Sequence, residues 1–249
     1  MSQLRERTRL RLFWTWHRRF GIAAALLVLV LGLTGLALNH TAALRLDQRF
    51  ATAGWLLDWY GIEAPETSAS HMAGQVRVTL LGDRLYLDGQ AVPGHFARLA
   101  GAVAAGGFVA VATQGEIVIL MPDGRLVDRL GVESGVPQWI DAIGTATDGS
   151  VILRSGDELY AAPVATLEWA MTGPGPGIRW SAPGELPVAE LHALQADFRS
   201  RILPVERVVL DLHSGRIAGT FGVLLMDGAA ILLLLLALTG SWMWLARRR

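Results

Sequence analysis

Two long apolar stretches, one near each end of the chain, dictate most of what it can become. From Phe20 to Leu38 the sequence FGIAAALLVLVLGLTGLAL carries no charge, and its 19 residues, at about 1.5 Å each, reach roughly 28 Å as a helix. That is close to the thickness of a bilayer's hydrocarbon core, so the stretch reads as a membrane span. A second stretch, Ile217 to Leu245, is interrupted only by Asp227 and ends in a Trp242/Trp244 pair suited to a membrane interface. A carboxylate inside an apolar span is costly and needs a partner, such as a histidine, a water path or another helix.

Charge gives the spans a direction. The first 19 residues carry Arg5, Arg7, Arg9, Arg11, Arg18 and Arg19 against Glu6 alone, and the sequence closes with Arg247, Arg248 and Arg249. Basic flanks stay in the cytoplasm. Two spans also require both ends to lie on one side, so the charge pattern and the span count agree. A basic region followed by an apolar core is also how a secretion signal begins. This run is longer than a typical signal core, however, and leads into Leu38-Asn39-His40 rather than a small-residue cleavage site. The organisation expected is a basic N-terminus and first span at 1–40, a periplasmic β-rich domain at 41–205, and an amphipathic lead-in, second span and basic C-terminus at 206–249. The localisation expected is the bacterial inner membrane.

The chain has no cysteine, which excludes disulfides, thiolate zinc sites, cysteine-ligated iron–sulfur clusters, covalent c-type haem and a thiol nucleophile. Its 22 basic and 22 acidic residues cancel, so net charge offers no argument for a nucleic-acid partner. There is no G-x-S-x-G elbow, H-E-x-x-H helix or phosphate loop, and hydrolase chemistry has no support.

Between the spans, Trp55, Leu56, Leu57, Trp59 and Tyr60 supply aromatic surface for core packing or an interfacial anchor. After Gly74 short strands follow, at residues 76–80, 84–87, 108–112, 116–120, 151–154 and 158–161. They are rich in β-branched and aromatic residues and punctuated by Gly-Asp, Asp-Gly and Gln-Gly pairs. Two strand-turn-strand units resemble propeller blades in style, but two or three cannot close a propeller. The fold class expected is therefore a membrane α part, of two transmembrane helices, flanking an extracytoplasmic all-β antiparallel meander or sandwich. Gly173-Pro174-Gly175-Pro176-Gly177 reads as a loop, and 187–202 as a helix with Leu191, Leu194, Phe198 and Ile202 on one face.

Three of the six histidines stand at the membrane boundaries: His17 in WTWHRRFG, His40 in LALNH and His213 in VVLDLHSGRIAG. Imidazole is the usual protein ligand of b-type haem, which needs no cysteine and suits a transmembrane bundle. On a continuous helix His17, Gly21, Gly32, Gly35 and Asn39 share one face, where a flat macrocycle or a neighbouring helix can approach closely. Glycine stripes in membrane helices also mark plain helix packing, and interfaces tolerate histidines without ligand duty. His40 points away from that stripe and lies at the depth of His213, so those two are expected to meet across the helices. His71, His95 and His192 are expected in the core or on the surface of the β domain, with no metal-ligand spacing.

The segments WHRRFG and LGLTGLALNH at the first span, with RVVLDLHSGRIAG and LALTGSWMW at the second, resemble the PepSY-associated transmembrane family of bacterial inner-membrane proteins. The resemblance covers roughly 80 residues at the two ends and rests on the combination of H-R-x-x-G, L-T-G and D-L-H-S-G-R. It implies a relative of PepSY-type reductases, in which helix-boundary histidines ligate haem b and electrons cross to periplasmic acceptors such as ferric siderophores. Carried over by position, it makes His17, His40 and His213 the candidate axial ligands of haem iron. Larger members have four or more helices where this chain has two, so a homodimer, or a place as subunit of a membrane complex, would restore the count. A periplasmic redox protein is the partner this implies. A cofactor-free assembly subunit presenting its β domain to a partner complex is the alternative.

Overall fold

The computed structural model describes residues 2–66, 68–173, 175 and 177–246. Arg247, Arg248, Arg249, Pro174 and Pro176 lie outside the described residues, as do the side chains of Arg5, Arg7, Arg9 and Arg11. The chain divides into two compact units, Met1–Leu56 with Arg201–Arg249, and Leu57–Ser200.

The first unit is helical. Helix α1 runs Ser2–Asn39, and within it Thr15–Asn39 is long and apolar enough to cross a membrane. A single turn, α2 (Thr41–Leu44), follows and ends on Arg45 in the left-handed conformation, and a further short helix, α3, spans Gly54–Trp59. The returning chain is clasped to this region by backbone: Ala51 N–H donates to Leu203 O at 2.8 Å, and Val205 N–H to Arg49 O at 2.8 Å. Pro204 sits inside the clasp, where its missing N–H costs nothing and its fixed φ starts the next helix.

That helix, which we number α5 in chain order, is Val205–Ser214, and it packs along α1. It stops at Gly215, whose φ of 78° is the left-handed cap that glycine adopts without strain. A 3-10 turn at Arg216–Ala218 then leads into α6, Gly219–Ala246, and the stretch Arg216–Leu245 is the second apolar segment of membrane-crossing length. The corner is tight: a Cβ built on Gly222 would fall 1.9 Å from the Gly215 carbonyl oxygen. Only a bare Cα lets α6 fold back over the end of α5.

The second unit is built from three small antiparallel sheets in chain order. The first sheet contains β1 (Ser68–Ala73), β2 (Val76–Leu81), β3 (Arg84–Leu87) and β4 (Gln90–Ala91). The second contains β5 (Leu99–Ala105), β6 (Phe108–Thr113), β7 (Ile117–Leu120) and β8 (Leu126–Leu130). The third has the order β12-β11-β10-β9-β13, from β9 (Ala142–Thr145), β10 (Val151–Ser155), β11 (Glu158–Ala162), β12 (Ala170–Thr172) and β13 (Arg179–Trp180). Two apolar cores lie between successive sheets. Val78, Leu85, Phe96, Val109 and Val118 fill the first, and Ile117, Ile119, Ile140, Ile143 and Leu153 the second.

The leading strands β1, β5 and β9 contact one another in series. Small residues permit this. Gly101 in β5 has no room for a side chain, since a Cβ there would meet Ile143 Cγ2 at 2.9 Å, and its φ of 153° already favours glycine. The two strand-turn-strand units visible in the sequence are thus two of three stacked meanders, and antiparallel β structure between two apolar helices is the architecture found.

Helix α4, Val188–Arg199, covers one side of the first sheet, with Leu194, Leu191 and Phe198 packed on Leu81 and Tyr86. The expected face holds for three of its four positions. Ile202 is not on it, because the helix ends at Arg199 and the residues before Pro204 turn away from helical geometry.

Candidate functional site

Each boundary histidine finds a different fate. His213 closes the last turn of α5, two residues before the Gly215 cap, so the cap fixes where its ring falls. The ring lies against α1: Nδ1 is 2.8 Å from Thr34 Oγ1, and a Cβ on Gly35 would sit 3.4 Å from His213 Cε1. Thr34 is buried and His213 half-buried. Gly35 lies against the ring, with its Cβ position at van der Waals distance from it.

The same arrangement recurs at the other end. His17, on α1, has Nδ1 3.3 Å from Thr239 Oγ1 on α6, and a Cβ on Gly240 would lie 3.9 Å from His17 Cε1. Leu33-Thr34-Gly35 in α1 and Leu238-Thr239-Gly240 in α6 are the same tripeptide; the first meets His213 of α5 and the second His17 of α1. Thr34 is 17 residues from His17, about 26 Å along α1, so the two pairs stand at opposite ends of the helix pair.

His40 is exposed at the junction of α1 and α2 and makes no side-chain cap there. His213 rests about one and a half turns of α1 away from it, at Thr34 and Gly35, rather than at His40's own level. Of the glycine stripe, Gly35 alone meets a neighbour; a Cβ on Gly21 or Gly32 would touch nothing within 4 Å. Close helix packing does not account for those two.

Beside His17 an apolar cleft of about 320 Å³ opens between the helices, walled by Trp16, Phe20, Leu232, Leu235, Trp242 and Met243. Trp16 and Phe20 stack at a centroid separation of 5.4 Å. The volume is at the low end for cofactor pockets, which run from about 300 to 1,000 Å³. The donor set suits haem: a single imidazole, aromatic and aliphatic walls, and no carboxylate among the lining residues. The cleft is open on one side. Among the described residues, no group of three or more histidine, cysteine, aspartate or glutamate side chains is placed to hold a metal ion.

Asp227 is exposed on α6, roughly 160° around the helix from the buried Ala229. Asp211, by contrast, is only 3% exposed, and its Oδ2 accepts from Arg207 Nε at 2.9 Å one turn earlier on α5. This ion pair steadies the helix that carries His213.

The remaining histidines belong to the β unit. His71 is buried, with Nδ1 2.9 Å from Ser181 Oγ, and burial pushes its imidazole below the ordinary value against a weaker opposing bond to Ala182. Ser181 Oγ also accepts from Ala102 N–H at 3.0 Å, so the pair laces β1, β5 and the segment after β13 together. His95 is exposed and pairs with Asp83 at 2.6 Å, and His192 is exposed on α4.

Thr34 and Thr239 are what reasoning from histidine positions missed. Their signal was present, as a Leu-Thr-Gly tripeptide repeated once in each span.

No curated protein and no solved structure matches the chain. A family profile does: that of the PepSY-associated TM region matches residues 1–247, both apolar helices and the β sheets between them. Two helices of membrane-crossing length and a family match over the whole chain make this a membrane protein that belongs to the PepSY-associated transmembrane family.

Proposed function

We propose that the protein is an inner-membrane electron-transfer component that binds b-type haem and passes electrons toward a periplasmic redox partner. In this reading both termini are cytoplasmic and the β unit is periplasmic. The observation that carries it is the duplicated histidine–threonine pair, one at each end of the helix hairpin. Ligating histidines are characteristically hydrogen-bonded through their second ring nitrogen, and both rings have that bond.

His17 and His213 would each hold one haem iron, with His40 as a third candidate. Haem, when bound, supplies one-electron iron chemistry, and axial ligand, hydrogen bonding and burial tune its potential. The chain's contribution is to place two imidazoles at opposite ends of the helix pair, the His17 ring beside an apolar cleft. Thr34, which meets His213, lies about 26 Å along α1 from His17, so the two histidines would hold separate irons and each site would need a further ligand from elsewhere.

A second observation favours a partner within the membrane. Asp227 lies on the outer face of α6, inside an apolar segment, and such a carboxylate is normally turned toward another protein surface. A second copy of the chain or another membrane subunit would cover it and could supply the further ligands.

Reduced-minus-oxidised absorption of the full-length protein, purified from haem-replete cells, tests the reading. The expected result is a b-type Soret and α-band signal. A featureless difference spectrum from such material contradicts it.

A further inference from the structure

The hydroxyl of Thr34 has one proton to give. Its oxygen lies 2.6 Å from Val30 O and 3.3 Å from Leu31 O, both carbonyls of its own helix. A carbonyl cannot donate, so the short contact to Val30 requires the Thr34 proton. At the same time Thr34 Oγ1 lies 2.8 Å from His213 Nδ1. With its proton committed, the oxygen is an acceptor there, and the hydrogen between the two belongs to Nδ1. A neutral imidazole protonated at Nδ1 has a bare lone pair at Nε2.

Thr239 repeats the logic. Its oxygen is 2.7 Å from Leu235 O and 3.2 Å from Leu236 O, and 3.3 Å from His17 Nδ1. Both threonines are thus locked by back-bonding to the preceding turn of their own helix and offer only an acceptor to the opposite histidine. An acceptor at that point leaves the ring nitrogen facing it as the donor, so the threonine decides the tautomer.

We propose that Thr34 and Thr239 are positioning residues that hold the neutral His213 and His17 rings in the Nδ1–H tautomer, so that the lone pair of each ring is on Nε2, the nitrogen that can ligate. This rests on the haem reading above for what Nε2 meets, but the tautomer itself does not depend on it. The Thr34 pair has the shorter bond and the buried threonine, and controls its histidine more tightly than the Thr239 pair. The glycine after each threonine lies beside the ring, its Cβ position at ordinary van der Waals distance from the imidazole.

The test uses the full-length chain and two readouts. In haem-free protein with ¹⁵N-labelled histidine, the His213 ring signals, assigned by their loss in His213→Gln, should report Nδ1–H in the wild type. They should become a tautomer mixture in Thr34→Val and return in Thr34→Ser. In haem-loaded protein, Thr34→Val should retain haem about 10-fold to 100-fold less tightly and shift its midpoint potential. Thr239→Val should have the smaller effect, and serine should rescue both. An Nε2–H ring in the wild type, or a Thr34→Val protein with unchanged tautomer and potential, overturns the proposal. If the wild type shows the Nδ1–H tautomer but takes up no haem, the haem reading fails and the tautomer control stands.

Discussion

At the scale of single residues, the membrane unit depends on side chains that are missing. Gly222 faces the Gly215 carbonyl with no space for a methyl group, whereas a Cβ on Gly228, six residues further along α6, would meet nothing within 4 Å. Gly222→Ala should therefore lower the thermal midpoint in detergent, by overpacking worth about 1–3 kcal/mol, while Gly228→Ala leaves it unchanged. Fluorescence-detected unfolding of the two variants side by side checks this. His71 makes a prediction of the opposite kind. Burial lowers its pKa in the folded state, so the unfolded chain binds the proton more readily and stability rises with pH across that interval. As pH falls below about 6.5, the ordinary histidine value, the β unit should lose stability. His71→Gln should remove that part of the pH dependence, as read from thermal midpoints at pH 7.5 and 5.5.

At the scale of elements, strands with β-branched and aromatic side chains were legible in the sequence, and strands without them were not. Residues 84–87 stand out as Arg-Leu-Tyr-Leu and form β3 as expected. Leu-Ala-Gly-Ala-Val-Ala-Ala gives no such signal, yet it is β5, central to the stacking of the three sheets. Smallness selected by close approach overrides local strand preference there. The four-residue β9 and the two-residue β13 are likewise set by tertiary pairing rather than by their own composition. Gly101→Val should separate β5 from β9 and destabilise the protein more than Leu194→Ala, which costs about 2–5 kcal/mol by opening a cavity under α4. Chemical unfolding followed by tryptophan fluorescence ranks them. The spans were readable because their apolar runs exceed what a soluble helix needs. The histidines were readable because of their places at the ends. The threonine partners were marked only by the repeated Leu-Thr-Gly, and which histidine each meets depends on the corner that Gly215 and Gly222 make.

At the scale of the whole molecule, the proposal requires one topology and one chemistry. A chain without cysteine accepts single reporter cysteines cleanly. A cysteine at Asp148, in an exposed turn of the β unit, should label with a membrane-impermeant maleimide in intact spheroplasts, and one at Ser2 should label only after lysis. The chemistry is tested most directly by counting haem per chain from the reduced-minus-oxidised spectrum in the wild type and in His17→Ala and His213→Ala. The account predicts a b-type spectrum in the wild type and a distinct, partial loss of it in each variant, since the two histidines stand at separate sites. A spectrum unchanged in both variants, or no haem in protein from haem-replete cells, would contradict it.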